Sequence, residues 1–326
     1  MKAAFVLAIL LLVITLSGCG GSSSAELPLV ILDTDISSDA DDVGAVAILH
    51  NLANQGKVNV LAMMVSSGDR WSVPCLQALN VWFGRRPEIP IGKAQDGIVG
   101  DESSYTRAVA EEFAPSTSTA TVPDAVQLYR RVLAAQADSS VTLVSIGYLT
   151  NLHHLLQSKP DAVSPLNGAA LVRQKVKRLV CMGGQYPSGR EWNFYQDAKA
   201  AMDVISHWPV PIVFVGFEIG KDIMTGATLR NLPAPNPLRR SYELHNKLAG
   251  RPSWDQLAVY YAVMTANGEQ SDWWAKVYGR NSVRDDGSNS WLNQQQSKID
   301  HAYLVQRGES ATITAKIEQL MLTSAQ

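Results

Sequence analysis

The chain has 326 residues and a formal net charge of −2 at neutral pH. This near-neutral balance argues against a nucleic-acid-binding protein, which would carry a basic patch or stripe. A chain of this length can bury a substantial core. It is long enough for one large α/β domain or two small ones.

The first residues predict an export signal that ends at a lipidation site. A basic residue, Lys2, precedes an apolar run over residues 3–16, which is too short to cross a bilayer comfortably. Leu-Ser-Gly-Cys, ending at Cys19, resembles a bacterial lipobox. We expect residues 1–18 to be removed, Cys19 to be lipidated and residues 19–27 to form a flexible tether. The expected location is the bacterial cell envelope; an ordinary cleaved signal is the alternative.

Short apolar runs alternate with helical patterns along the rest of the chain, which indicates a mostly parallel, Rossmann-like sheet with helices on both faces. No linker interrupts residues 28–326, so a single α/β domain is predicted there. The predicted strands cover 29–32, 58–65, 89–91, 141–146, 177–182 and 212–215. The predicted helices cover 43–54, 75–83, 124–137, 149–156, 197–207, 242–249, 255–265 and 311–322, with a hairpin turn at 285–289.

In open α/β sheets, ligands bind beyond the carboxyl ends of the strands. The segment after the first predicted strand carries Asp33, Asp35, Asp39, Asp41 and Asp42 without any Lys or Arg. Anions packed so closely need a compensating charge, and a hard divalent cation with oxygen ligands would provide it. The alternative is a solvated acidic loop that caps a helix.

Two other acidic motifs were weighed against this segment. An EF-hand starting at Asp35 fails, because Ala40 replaces the required glycine and Val46 replaces the bidentate glutamate. An aspartyl phosphatase of the haloacid-dehalogenase type also begins with Asp-x-Asp after a strand. That interpretation does not explain Asp41 and Asp42.

Several strand-end segments together resemble the inosine-uridine-preferring nucleoside hydrolase family. The opening motif Asp-x-Asp followed by Asp-Asp is similar to residues 33–42, although the loop here is two residues longer. Further similarities to the family's motifs, in the same order, lie at Ile146–Leu152, Met182–Gly184, Glu191–Ala201 and Trp254–Val259.

The resemblance implies a calcium ion at the bottom of a ribose pocket. Its ligands would be Asp35, Asp42, Asp255 and the backbone carbonyl of Thr150, and Asp35 would also take a proton from the attacking water. Substrate contacts would come from Asp41, Asp69, Glu191, Asn193 and Trp254. The implied reaction is calcium-dependent hydrolysis of the N-glycosidic bond of a ribonucleoside or related riboside.

Two positions depart from the family's pattern. Trp254 stands where the family has a histidine that can protonate the leaving base, and tryptophan cannot act as that acid. Asp69 stands where an asparagine often touches the ribose. His245, nine residues before Trp254, could approach the pocket but is not assigned as a replacement acid. Both departures affect the substrate more than the reaction class.

Other expectations concern partners and cysteines. A non-catalytic calcium-dependent nucleoside or sugar receptor on the cell surface is the main alternative to an enzyme. The expected partners are a small nucleoside or riboside and the membrane, with no nucleic acid, and homo-oligomerisation is left open. Cys75 and Cys181 lack Cys or His partners at metal-ligand spacing and are expected to be free buried thiols.

Overall fold

The computed structural model describes residues 27–84, 89–95, 102–115, 122–267, 270–293 and 300–323. The predicted signal, Cys19 and all but the last residue of the tether lie outside these ranges, so those predictions stay open. Within the described ranges, no helix combines the length and apolar character needed to span a bilayer.

A ten-stranded sheet forms the centre of the molecule, in the order β3-β2-β1-β4-β5-β7-β12-β10-β11-β6, and β8 pairs separately with β9. The strands are β1 Leu29–Thr34, β2 Asn59–Val65, β3 Ile91–Lys93, β4 Val141–Ser145, β5 Val176–Met182, β6 Ser188–Arg190, β7 Ile212–Val215, β8 Met224–Thr225, β9 Arg251–Pro252, β10 Trp274–Val283, β11 Ser288–Leu292 and β12 His301–Gln306.

The described helices run along both faces of this sheet. They are α1 Asp41–Asn54, α2 Ser72–Trp82, α3 Thr106–Phe113, α4 Ala125–Ala134, α5 Thr150–Gln157, α6 Gly168–Lys175, α7 Trp192–Gln196, α8 Ala198–His207, α9 Phe217–Gly220, α10 Pro237–Asn246, α11 Trp254–Met264 and α12 Ser310–Leu322, with a 3₁₀ turn at Ala227–Asn231.

Side chains of β1 alternate between two cores, as the period of a strand requires. Leu32 packs into the core that includes α1, α2, α11 and α12, whereas Ile31 packs into the core that includes α4, α5, α6 and α8. In the order of the sheet, neighbouring strands from β3 to β12 are parallel. The pairs β12–β10, β10–β11 and β11–β6 are antiparallel. The mostly parallel sheet covered by helices is therefore confirmed.

Several element boundaries differ from the sequence prediction. The helix predicted over 242–249 instead covers Pro237–Asn246. It starts early because the Asn236 side chain accepts the backbone N–H of Arg239 at 3.0 Å. It ends early because Lys247 has a left-handed φ of 61°. The prediction also omitted α3, α6 and the strand β12.

The two cysteines of the described chain, Cys75 and Cys181, are free and buried. Burial raises the pKa of both thiols far above its ordinary range. The prediction of free, buried thiols is confirmed for both residues, and burial makes such thiols unreactive.

Candidate active site

The turn between β1 and α1 gives the acidic motif a fixed shape. Thr34 ends β1, and its hydroxyl donates a hydrogen bond to the carboxylate of Asp42 in the first turn of α1. The backbone N–H of Ile36 donates to Thr34 Oγ1 at 3.1 Å. Asp41 and Asp42 lie at the start of α1, where the positive end of the helix dipole favours carboxylates.

Three buried carboxylates converge beside this turn. Oxygen atoms of Asp41, Asp42 and Asp255 all lie within 4.8 Å of one another. The three residues are only 3%, 2% and 4% exposed. Burial raises the pKa of each carboxyl well above its usual range, and the neighbouring aspartates raise it further. An all-oxygen donor set with uncompensated charge suits a hard divalent cation.

These carboxylates form part of a cavity of about 360 Å³. Its wall combines acidic, aromatic and basic side chains from the ends of several strands, as expected for an α/β sheet. The lining residues are Asp35, Ser38, Asp39, Asp41, Asp42, Ile146, Met182, Glu191, Trp192, Asn193, Phe217, His245, Arg251, Trp254 and Asp255.

Asp35 also lines the cavity but does not belong to the trio of closely spaced carboxylates, Asp41, Asp42 and Asp255. It is 7% exposed. The loop after β4 packs directly against it. A Cβ atom placed on Gly147 would lie 2.5 Å from the backbone N of Asp35 and 2.7 Å from its Oδ1. Only glycine therefore fits at position 147, which explains why this part of the motif lacks a side chain.

Glu191 and Asn193 enter the cavity from the start of α7. The carboxylate of Glu191 caps this short helix, accepting the backbone N–H of Asn193 at 2.8 Å and that of Gly184 at 3.0 Å. Burial raises the pKa of Glu191 to about 7, although these N–H groups act in the opposite direction. The amide of Asn193 donates to the carbonyl of Ile146 at 3.3 Å. Both side chains are thereby held in one orientation.

An aromatic wall completes another part of the cavity. Trp254 stacks on Phe217 with ring centroids 5.4 Å apart, and its Nε1 donates to the Phe217 carbonyl at 2.7 Å. Trp192 is 53% exposed and Phe217 37% exposed, so both present open ring surface. Such surface can stack on a planar heterocycle.

A basic pair lies beside the acidic loop. The Nε of Arg251 donates to both carboxylate oxygens of Asp39 at 2.9 Å. His245 Nε2 lies 3.6 Å from Asp39 Oδ1. The positive charge that the loop lacks in sequence is thus supplied in part by Arg251, which neutralises Asp39 rather than the buried trio.

The sequence profile of the inosine-uridine preferring nucleoside hydrolases matches residues 30–314. The chain belongs to this family.

Sequence relatives and solved structures agree with the assignment to the nucleoside hydrolases. The chain is 27% identical over 212 residues to the pyrimidine-specific ribonucleoside hydrolase RihA of Salmonella dublin. The match covers 59% of this chain and 61% of that protein. A purine-preferring ribonucleoside hydrolase from Gardnerella vaginalis superposes with a TM-score of 0.69 at 16% identity, covering 90% of this chain and 98% of that one.

A second solved structure supports the same fold. The inosine-uridine preferring nucleoside hydrolase of Bacillus anthracis superposes with a TM-score of 0.67 at 16% identity, over 90% of this chain and 99% of the other. The nucleoside hydrolase fold predicted from the sequence is therefore confirmed.

Most of the predicted site residues of this family member share the cavity; Thr150 and Asp69 do not line it. Thr150 is the first residue of α5, and its hydroxyl donates to Asp197 at 2.6 Å. Its carbonyl as a metal ligand stays a prediction. The Asp69 carboxylate accepts the Thr106 hydroxyl at 2.6 Å and the Trp71 N–H at 2.9 Å. Its predicted substrate contact gains no support from this position.

Asp33 does not line the cavity, so the prediction that all five aspartates of residues 33–42 form the site is wrong at this position. It is 1% exposed and accepts hydrogen bonds from the Tyr129 hydroxyl at 2.7 Å and the Asn151 amide at 3.0 Å. An aspartyl phosphatase would require this first aspartate of the Asp-x-Asp motif as an accessible nucleophile. The burial of Asp33 argues against that alternative.

The sequence motifs give no role in the site to Arg251, Phe217 or His245. Phe217 follows β7 after a single residue, Gly216, so the strand-end rule points to its segment. Arg251 lies three positions before Trp254, but nothing in the sequence indicates that it reaches Asp39. Ion pairs between distant positions follow from tertiary packing alone.

Proposed function

We propose that this chain is a calcium-dependent hydrolase that cleaves the N-glycosidic bond of a ribonucleoside or related riboside, releasing the base and the sugar. One observation carries the proposal. In a chain of the nucleoside hydrolase family, Asp35 and the trio Asp41, Asp42 and Asp255 line the same cavity as the fixed polar pair Glu191 and Asn193.

Calcium is proposed because the nearby donors are carboxylates, with neither sulfur nor imidazole in the trio. Calcium also accepts a large, irregular oxygen shell, which leaves positions for sugar hydroxyls and water. When bound, the ion would orient the sugar and make a water molecule more acidic. Asp42 and Asp255, with Asp35 and the Thr150 carbonyl, are the proposed ligands.

The other steps of the reaction are assigned to side chains that line the cavity. Asp35 accepts a proton from the water that attacks the anomeric carbon. Positive charge develops on the sugar ring as the glycosidic bond breaks, and the surrounding carboxylates stabilise it. Asp41 binds a ribose hydroxyl, while Glu191 and Asn193 hold the sugar through groups that backbone contacts already orient.

The aromatic wall is the proposed site for the base. Trp254, Phe217 and Trp192 offer apolar ring surface suited to stacking on a purine or pyrimidine. The relatives carry names that point to different bases, pyrimidine-specific for the Salmonella dublin protein and purine-preferring for the Gardnerella vaginalis protein. The base preference of this chain must therefore come from direct assay.

The test is sugar release from purine and pyrimidine nucleosides by the purified protein, with and without a calcium chelator. Release that stops with chelator and returns with added calcium is the expected result. Asp35→Asn should lower kcat by ~10²–10⁴-fold, the range of general acid–base catalysis, while circular dichroism shows an unchanged fold. Release unaffected by thorough chelation contradicts the calcium requirement. If no nucleoside is cleaved, the surface receptor becomes the better hypothesis.

We also propose a cell-envelope location through a lipid on Cys19. The support is the basic, apolar and small-residue pattern that ends in Leu-Ser-Gly-Cys. A membrane-anchored hydrolase would act on nucleosides outside the cytoplasm.

A further inference from the structure

The replacement of the family's histidine by Trp254 leaves the departing base without an obvious proton donor. Trp254 cannot fill the role, because its Nε1–H already donates to the Phe217 carbonyl at 2.7 Å. Both oxygens of Glu191 accept backbone N–H groups of Gly184 and Asn193. The donor must come from another part of the cavity wall.

Most acidic and basic groups of the cavity wall already have another role and cannot serve as the proton donor. Asp35 is assigned to the attacking water, and the trio Asp41, Asp42 and Asp255 is assigned to the cation and sugar. The carboxylate of Asp39 is occupied by Arg251, and this ion pair raises the pKa of the guanidinium beyond its already high value. Among the lining residues, His245 alone is an imidazole, the side chain that most often transfers protons near neutral pH.

His245 is well placed for such a role. It lies in the last turn of α10, lines the cavity and has a side chain that is 16% exposed. Its Nε2 lies 3.6 Å from Asp39 Oδ1. Asp39 is itself anchored, because its backbone carbonyl accepts the Tyr105 hydroxyl at 2.6 Å and its carboxylate is paired with Arg251. A fixed carboxylate beside one ring nitrogen orients the imidazole.

We propose that His245 protonates the departing base and that Asp39 is its positioning residue, an inference that rests on the proposed hydrolase function. The C1′–N bond breaks, its electron pair passes to the base, and a ring nitrogen of the base takes the proton of the His245 imidazolium. Water adds its oxygen to C1′ and gives a proton to Asp35. Exchange with solvent then returns one proton to His245 and removes one from Asp35.

The charges around His245 tune this acid in opposite directions. Burial lowers the pKa of the imidazole below its ordinary value; Asp39 offsets part of this fall, and Arg251 adds to it. Asp39 and Arg251 are the charged groups of the described chain that act on it. The protonated form is present at pH below this pKa. Nucleoside cleavage should therefore fall as the pH rises through it.

The test compares two leaving groups in His245→Gln. Natural nucleosides need protonation of the base, whereas p-nitrophenyl β-D-riboside releases a phenolate that leaves without a proton. The variant should lose ~10²–10⁴-fold in kcat on the cleaved nucleosides and stay within about threefold of wild type on the nitrophenyl riboside. His207→Gln is the matched control, because His207 has a side chain that is 71% exposed and does not line the cavity.

The outcomes separate this inference from the proposed function. If the wild-type protein cleaves neither kind of substrate, the hydrolase proposal fails first. If it cleaves only the nitrophenyl riboside, hydrolysis stands and the role of His245 is overturned. Equal losses on both substrates would mean that His245 only shapes the cavity, and unchanged nucleoside rates would exclude it as the acid. Either result overturns the inference.

The pH profile tests the positioning role of Asp39. In Asp39→Asn, the fall in nucleoside cleavage on the basic side should move to lower pH, because the carboxylate that raises the His245 pKa is gone. The same basic limb should disappear in His245→Gln. A limb that stays in place in both variants overturns the pairing of these two residues.

Discussion

Arg251 holds Asp39 from a position 212 residues further along the chain, with its Nε 2.9 Å from each carboxylate oxygen. The same guanidinium lies 5.2 Å from the centre of the Trp254 ring. One side chain therefore joins the acidic loop after β1 to the aromatic wall of the cavity. It also places a positive charge beside Asp41, which offsets part of the rise that burial and Asp39 cause in the pKa of that carboxyl.

Replacement of Arg251 by methionine should destabilise the protein. Arg251→Met keeps the apolar stem but removes the guanidinium from the half-buried Asp39, which lies beside other carboxylates, so the free energy of unfolding should fall by ~1–3 kcal/mol. Urea unfolding in the presence of a calcium chelator measures the change. Arg107→Met is the control, because Arg107 and Glu111 are 67% and 51% exposed and their pair should contribute below ~1 kcal/mol. Equal losses in both variants would contradict a special role for Arg251.

Asp255→Asn should separate cation binding from stability. Removing one of three mutually repelling buried carboxylates should weaken calcium binding by ~10-fold or more while the calcium-free protein becomes no less stable. Isothermal titration calorimetry gives the affinity and thermal unfolding gives the stability. Asp138→Asn, at a side chain 61% exposed and paired with Lys175, provides the control. Unchanged calcium affinity in Asp255→Asn would refute its role as a ligand.

Glu191 should make stability depend on pH. Its pKa is about 7 in the folded protein against 4.5 ordinarily. Between these two pH values, the carboxyl group is protonated in the folded state and ionised in the unfolded state. The stability contribution is therefore greatest at low pH and is lost as the pH rises from about 4.5 to about 7. Glu191→Gln should flatten this part of the profile in denaturant titrations made at several pH values. An identical slope in the variant would show that other groups cause it.

Cys19→Ala tests the lipid anchor. Without the thiol, the lipid cannot be attached, and full-length protein expressed in a bacterial host should leave the membrane fraction. Immunoblots of membrane and soluble fractions measure the distribution, with Cys75→Ala as the control because that thiol is buried and free. A Cys19→Ala protein that still sediments with membranes speaks against the lipobox.

The strands of the parallel sheet were predictable because each is a short apolar run beside a helical pattern. The order of elements around Asp35, Gly147, Glu191 and Asp255 also followed from strand ends and from the family's motifs. By contrast, the position of β12 between β7 and β10 depends on pairings that no local pattern encodes.

For the site itself, the sequence predicted which residues take part but not how their side chains are arranged in space. Asp33 and Asp35 are alike in sequence, yet they project differently, because Asp33 still belongs to β1 while Asp35 lies in the turn beyond it. Asp33 thus reaches Tyr129 and Asn151, and Asp35 reaches the cavity. Arg251 and His245 could not be assigned, since their relation to Asp39 arises only when distant elements pack together.

The position of β12 also has a consequence for synthesis of the chain. In the described sheet, β6 is connected to the parallel strands through β11, β10 and β12 in turn. A nascent chain that has left the ribosome only as far as β11 still lacks the strand that connects these two parts of the sheet. Residues 301–306 must therefore emerge before the two parts of the sheet are joined, so the complete sheet forms only late in synthesis of the chain.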